Sequence, residues 1–108
     1  MNRTEFNKEL DKLFDSIRQK FQVKGNEYAT ERSVFANFDK GSRVTGLPPE
    51  LVLDGYLTKH YVSYRDMLDA IYNETRPTNE LIDEKLGDII LYFILQKIMM
   101  EENNQLPW

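Results

Sequence analysis

Cysteine is absent from this 108-residue sequence, and histidine occurs only once, as His60. The first absence excludes disulfide bridges, a thiol nucleophile and any zinc or iron–sulfur site held by cysteine. A single histidine likewise excludes a metal site built from several histidines of one chain. Any metal would be held mainly by carboxylates, which favours Mg²⁺ or Mn²⁺ over Zn²⁺.

Long apolar stretches and an excess of basic residues are also lacking. The longest apolar run extends only from Ile89 to Leu95, whereas a helix that crosses a bilayer needs about 20 residues. The first residues do not have the apolar core of a signal peptide. Fourteen basic and 18 acidic residues give a net charge of −4, which argues against a strong nucleic-acid footprint. We therefore expect a cytoplasmic protein without a membrane segment.

The apolar residues that are present recur at helical spacing throughout the chain. This periodicity predicts an all-α fold, a four-helix, antiparallel, bundle-like domain over residues 1–108. Helix 1 is predicted over 1–23, with Asn2 and Glu5 as a capping box and Gly25-Asn26 as its stop signal. Residues 24–46 are predicted as a loop and a short helix over about 31–42, with Val34, Phe35 and Phe38 on one apolar face and breaks at Gly41 and Gly46.

Two longer helices are predicted in the second half of the chain. Helix 3 covers 47–72, where Pro48, Pro49 and Glu50 suit the first turn. Helix 4 covers 78–101, and residues 102–108 form a flexible tail that ends in Trp108. The run Ile89–Leu95 is apolar on every side of its helix, more than a small core needs. We therefore expect a homodimer with helix 4 or helix 1 at the interface.

Carboxylates on helix 4 are the first candidates for chemistry. Glu80, Glu84 and Asp88 follow one another at four-residue steps, and like charges at that spacing destabilise a helix. Glu80 and the neighbouring Asp83 are explained by the positive end of the helix dipole. Asp88 borders the most apolar stretch of the chain and needs a partner. Glu84 and Asp88 are therefore candidate ligands for a metal or another bound group.

Polar residues on helix 3 form a second group of candidates. Lys59, Ser63 and Asp66 share one helical face, and His60 lies beside the apolar stripe. A lone histidine there is more often structural, but a lysine next to a histidine suits a phosphate contact. Helices 3 and 4 are joined by a short turn and should pack antiparallel. His60, Lys59 and Asp88 each lie roughly 20 Å from that turn, so they are predicted to meet in one cleft with Glu84.

Several motifs together resemble a family of small phage and prophage proteins related to the nucleotide modification associated domain. The matching segments are Asn26-Glu27-Tyr28, Phe35-Ala36-Asn37-Phe38, Gly46-x-Pro-Pro-Glu50, Lys59-His60-x-x-Ser63-x-x-Asp66-Met67 and Asp83-Glu84-Lys85-x-x-Asp88-Ile89-x-x-Tyr92. More remotely, the chain is similar to the all-α nucleoside triphosphate pyrophosphatases of the MazG and dimeric dUTPase type. Those enzymes hold Mg²⁺ with two pairs of carboxylates on antiparallel helices.

The resemblance implies a phage-encoded nucleotide-binding protein that acts as a Mg²⁺-dependent pyrophosphohydrolase in the host cell. Asp66, Glu84 and Asp88 would then be the catalytic, Mg²⁺-binding carboxylates. Lys59, His60 and Ser63 would bind phosphate, and Tyr28 or Asn37 would face the base. Two aspartates stand where that family has glutamates, the second carboxylate step is one residue longer, and Leu91 replaces a common asparagine.

Two other functions are compatible with the same residues. The first is a non-enzymatic phage inhibitor of a host defence system, either anti-CRISPR-like or a protein that captures a signalling nucleotide. Small size, a compact helical dimer and an acidic surface suit that role. The second is a structural accessory of the virion or the replisome.

Overall fold

The architecture is all-α, as the periodicity predicts. A computed structural model describes the backbone of residues 1–28 and 33–105, and the side chains of 1–23 and 33–105. It contains four helices: α1 (Arg3–Tyr28), α2 (Ala36–Thr45), α3 (Pro49–Tyr72) and α4 (Asn79–Asn103). No strand occurs among the described residues, and none of their helices is long and apolar enough to cross a membrane. The predicted fold class is confirmed.

The chain divides into two compact units, where the sequence predicts one domain over residues 1–108. They are Met1–Ala36 and Asn37–Trp108. The first unit contains α1, which begins with the predicted capping box. The amide of Glu5 donates to Asn2 Oδ1 at 2.8 Å, and the amide of Asn2 donates to Glu5 Oε2 at 3.3 Å. This exchange satisfies two backbone donors that the first helical turn would leave unpaired.

The end of α1 differs from the prediction. The helix continues past Val23 and through Gly25 to Tyr28, so Gly25-Asn26 is not a stop. A glycine inside a helix costs only about 1 kcal/mol relative to alanine, which the neighbouring helical hydrogen bonds outweigh. The predicted apolar stripe is also only partly covered, because Ile17 is buried whereas Phe6 and Phe14 each expose more than half of their surface.

The short helix α2 begins later than the sequence predicts. The hydroxyl of Ser33 accepts from the amide of Phe35 at 3.0 Å, and this turn leads into the helix at Ala36. Phe35 and Phe38 are buried as expected, but Val34 is 67% exposed and does not share their face. Val34 and Phe35 both lie in the turn before the helix, where helical spacing does not apply and two neighbouring side chains need not share a face. Residues 29–32, the predicted start, lie outside the described residues.

Two glycines in and after α2 have different roles. Gly46 ends the helix with a positive φ of 74°, and its amide donates to the carbonyl of Ser42 at 2.8 Å. Gly41, predicted as a second breaker, lies inside α2. A Cβ added there would fall 2.6 Å from Val52 Cγ1 of α3. Gly41 is therefore a packing residue that allows α2 to approach α3 closely.

The main body of the second unit is an antiparallel pair formed by α3 and α4. Leu53, Leu57 and Met67 of α3 are buried, as are Ile89, Leu91 and Met99 of α4. Tyr56 stacks on Tyr92, and His60 lies beside Asp88. The contact four residues later on α3 is thus made four residues earlier on α4, as antiparallel helices require. These two contacts define the register of the pair.

The connection between α3 and α4 is short and capped at both ends. The amide of Thr75 donates to the carbonyl of Ala70 at 2.8 Å, and that of Glu74 to the carbonyl of Ile71 at 2.9 Å, the pattern of a Schellman motif. Glu74 takes the left-handed position with a φ of 66°, where glycine is usual. Thr78 then caps α4 by accepting from the amide of Leu81 at 3.2 Å.

The predicted tail begins too early at residue 102. The helix α4 includes Glu102 and Asn103, and Asn103 Nδ2 donates to Glu50 Oε1 at 2.6 Å. This bond ties the last turn of α4 to the first turn of α3 and so prolongs the helix. Trp108, the other residue of interest in this segment, lies outside the described residues.

Replacing Glu74 by glycine should stabilise the protein. A left-handed backbone costs a residue with a Cβ about 1–2 kcal/mol, and glycine does not have this cost. Part of the resulting stabilisation is offset by the greater freedom of glycine in the unfolded chain. We expect Glu74→Gly to raise the free energy of unfolding by about 0.5–1 kcal/mol in urea denaturation. The control is Asn73→Gly, where φ is −91° and a loss is expected. A loss with Glu74→Gly would contradict the assigned cap.

Replacing Gly41 by alanine should destabilise the protein, although alanine is the better helix former. The new Cβ has to displace Val52, a short and branched side chain, so overpacking outweighs the gain in propensity. We expect the free energy of unfolding to fall by about 1–2 kcal/mol. Gly55→Ala on α3 is the matched control, since nothing lies within 4 Å of its added Cβ, and it should stabilise by about 0.5–1 kcal/mol. Stabilisation by both variants would show that α2 and α3 do not approach at Gly41.

Candidate functional site

Four side chains meet where the middle of α3 faces the middle of α4. Tyr56 and His60 lie one turn apart on α3, and Asp88 and Tyr92 lie one turn apart on α4. Residues four apart share one face of a helix, so each helix presents two of these side chains to the other. We call Tyr56, His60, Asp88 and Tyr92 the tetrad.

The polar half of the tetrad is the pair His60–Asp88. His60 Nδ1 lies 3.7 Å from Asp88 Oδ2, and both side chains are about one quarter exposed, at 25% and 23%. Asp88 thus has the partner that its position beside the apolar run demands. The distance is longer than a hydrogen bond, so at this exposure the pair contributes little to stability.

The aromatic half of the tetrad continues a row of rings that starts in α2. Phe38 meets the edge of Tyr56 with ring centroids 5.8 Å apart. Tyr56 and Tyr92 lie 6.5 Å apart with their planes within 2° of parallel, and His60 lies 5.0 Å from Tyr92. Tyr56 nevertheless remains 50% exposed. The row therefore holds one tyrosine ring in a fixed plane while leaving half of its surface accessible.

A polar contact closes the cleft one turn beyond Tyr92. Gln96 Nε2 donates to the backbone carbonyl of Glu50 at 3.0 Å. Gln96 Oε1 is buried and has no hydrogen-bond donor among the described residues. A buried acceptor without a donor costs about 1–3 kcal/mol. The hydrogen bond from Gln96 to Glu50 therefore links the two helices while the unsatisfied Oε1 lowers the free energy of unfolding.

The predicted site residues are brought together only in part. His60 and Asp88 meet, as the distance from the turn predicts. Lys59 is exposed and makes no ion pair among the described residues. Ser63 lies half-buried one turn after His60. Glu84 does not reach the cleft: its side chain is 63% exposed and its nearest basic partner is Lys85, at 3.6 Å.

Three further candidates lie away from the tetrad or outside the description. Asp66 is exposed on α3, and Asn37 is exposed at the start of α2. Asn37 was expected near an apolar face because Phe35 and Phe38 flank it, but only Phe38 follows it within the helix, and the asparagine points to solvent. The side chain of Tyr28 lies outside the described residues.

The carboxylates do not form the predicted magnesium set. Among residues whose side chains are described, no three of the aspartates, glutamates and His60 converge to hold a metal ion. Asp88 is engaged with His60, whereas Asp66 and Glu84 are exposed. A three-carboxylate Mg²⁺ site built from Asp66, Glu84 and Asp88 of one chain therefore does not fit this arrangement.

Tyr56 is the functional candidate that the sequence analysis misses. Its signal is its position four residues before His60, the same step that separates Asp88 from Tyr92. Two aromatic–polar pairs at that step on neighbouring antiparallel helices predict a mixed cluster.

No protein-family model, curated protein or solved structure matches this chain.

Proposed function

We propose that this protein binds a nucleotide on the face of α3 that carries Tyr56, Lys59, His60 and Ser63. The observation that carries this proposal is the half-exposed ring of Tyr56, held between Phe38 and Tyr92 beside two nitrogen-bearing side chains. A rigid, accessible aromatic plane is what a nucleobase stacks on. The lysine next to that plane supplies a positive donor for a phosphate, and the histidine supplies a ring nitrogen that can hydrogen-bond to it.

The spacing along α3 supports the same ligand. Lys59, His60 and Ser63 follow Tyr56 at three, four and seven residues, so all four lie on one side of the helix. With a rise of 1.5 Å per residue, Ser63 lies about 10 Å along the axis from Tyr56. A ligand that spans this strip has a planar group at one end and hydrogen-bond acceptors at the other, which describes a nucleoside phosphate.

The role of Asp88 in this proposal is positional. Its carboxylate lies on the Nδ1 side of the His60 ring, 3.7 Å away, so Nε2 is the nitrogen that faces away from Asp88 and would contact a phosphate oxygen. Asp88 contributes no ligand to a metal in this arrangement. Magnesium would reach the site only as a partner of the nucleotide phosphates, so the proposed function is binding, and hydrolysis forms no part of it.

Nucleotide binding is tested by isothermal titration with ATP, GTP, dTTP and dUTP, each with and without Mg²⁺. We expect at least one of them to bind, and Tyr56→Ala to weaken it about fivefold to tenfold, because the loss of base stacking costs about 1–3 kcal/mol and half of the ring is already exposed. Lys59→Ala should weaken a triphosphate more than a monophosphate, because the triphosphate carries more negative charge for the lysine to pair with. A nucleotide that binds should also raise the melting temperature.

The matched control is Tyr72→Ala, which removes an 88% exposed tyrosine from the end of the same helix. It should leave the affinity unchanged. If no nucleotide binds at millimolar concentration, or if Tyr56→Ala binds as tightly as the original protein, the proposal is wrong. That outcome favours the alternative, a non-enzymatic inhibitor of a host defence system.

We also propose that two copies associate through α4. Phe93 and Met100 expose 56% and 46% of their surface, and because they are seven residues apart they lie on the same face of α4. Large side chains left in water on a single face favour association with another apolar surface. A second copy supplies such a surface by symmetry.

Light scattering at tens of micromolar tests the dimer. We expect twice the chain mass of 12.8 kDa. Phe93→Glu should give the monomer mass, because it places a charge in the apolar contact. The control is Val44→Glu in α2, an 87% exposed position that should not affect the mass. A monomer mass for the original protein would rule out the dimer.

A further inference from the structure

A cavity of about 280 Å³ lies at the turn end of the α3–α4 pair, away from the tetrad. The side chains of α3 supply one wall, and those of the turn and the start of α4 supply the other. The lining includes Tyr64, Leu68, Ile71, Arg76, Ile82 and Leu86. All of these residues belong to the second compact unit and are described with their side chains.

The lining is mostly apolar, and its polar residues are Tyr64, Asn79 and one charged residue. Arg76 is the only charged residue among those described around the cavity. Its side chain is exposed and makes no ion pair among the described residues. The first residue of α4, Asn79, also borders the cavity, and the positive end of that helix favours a negative charge there. Arginine matches a carboxylate with two parallel hydrogen bonds.

We propose that this cavity binds a small amphipathic carboxylate, with its apolar chain between the helices and its carboxylate on Arg76. An apolar cavity offers water few hydrogen-bond partners, so it is better filled by an apolar group. At about 30 Å³ for each water-sized group, the volume accommodates about nine non-hydrogen atoms. An alkyl chain of about five to seven carbons stays within this limit when its carboxylate lies outside the cavity on Arg76, and octanoate has such a chain.

This inference is independent of the proposed nucleotide site. None of the tetrad residues lines the cavity, and the two ligands have different chemistry, since one requires an accessible ring and the other a mostly apolar cavity that is partly open to solvent. The two sites are tested by different probes and different variants.

The experiment is a titration of the full chain with octanoate, followed by amide chemical shifts. We expect saturable shifts centred on Leu68, Asn79 and Ile82, with a dissociation constant on the order of 1 mM, as befits a ligand of this size. Arg76→Gln should raise that constant about fivefold to tenfold, because it removes the charge that pairs with the carboxylate. Octanol and octylamine, which have a similar chain without the negative charge, should bind more weakly than octanoate.

Two variants separate a specific site from general apolar binding. Arg43→Gln removes an exposed arginine from α2 and should leave octanoate binding unchanged. Ile82→Trp fills the cavity from a partly exposed position and should abolish the shifts without unfolding the protein. The proposal is overturned if octanol binds as tightly as octanoate, if Arg76→Gln has no effect, or if the shifts do not centre on the cavity.

Discussion

The antiparallel register of α3 and α4 is the constraint on which the rest of the second unit depends. A Schellman motif at Glu74 and a threonine cap at Thr78 make the connection short, so neither helix can slide without breaking a cap. Once the register is set, Tyr56 must meet Tyr92 and His60 must meet Asp88. The bond from Asn103 to Glu50 fixes the opposite end of the pair.

The same register creates two chemically different sites along one pair of helices. In the middle, polar and aromatic side chains leave one tyrosine half-exposed beside a lysine and a histidine. Near the turn, the mostly apolar side chains of α3 and of the start of α4 leave a cavity between them, and Arg76 is part of its lining. A net charge of −4 repels anions in general, so both proposals depend on a local cation, which is Lys59 beside the tetrad and Arg76 at the cavity.

Periodicity and end signals in the sequence were sufficient for the helices and for the meeting of His60 with Asp88, because both follow from 3.6-residue geometry and a short turn. They were not sufficient to predict which glycines end a helix. Gly25 lies inside α1 and Gly41 is a packing residue, since whether a glycine ends a helix depends on the backbone and neighbours that it meets. In the expected Mg²⁺ set, Glu84 and Asp88 came from the four-residue spacing of carboxylates on helix 4 and Asp66 came from the resemblance, and neither source specifies which way each side chain points.

The register is tested most directly by nuclear Overhauser effects between aromatic side chains. The antiparallel register predicts cross-peaks between the His60 and Tyr92 rings, whose centroids are 5.0 Å apart. Weaker cross-peaks are expected between the Tyr56 and Tyr92 rings, whose centroids are 6.5 Å apart. Cross-peaks from His60 to α4 residues one turn or more from Tyr92, with none to Tyr92 itself, would contradict it. They would show that α3 and α4 pack in another register, and both proposed sites would then lose their geometric basis.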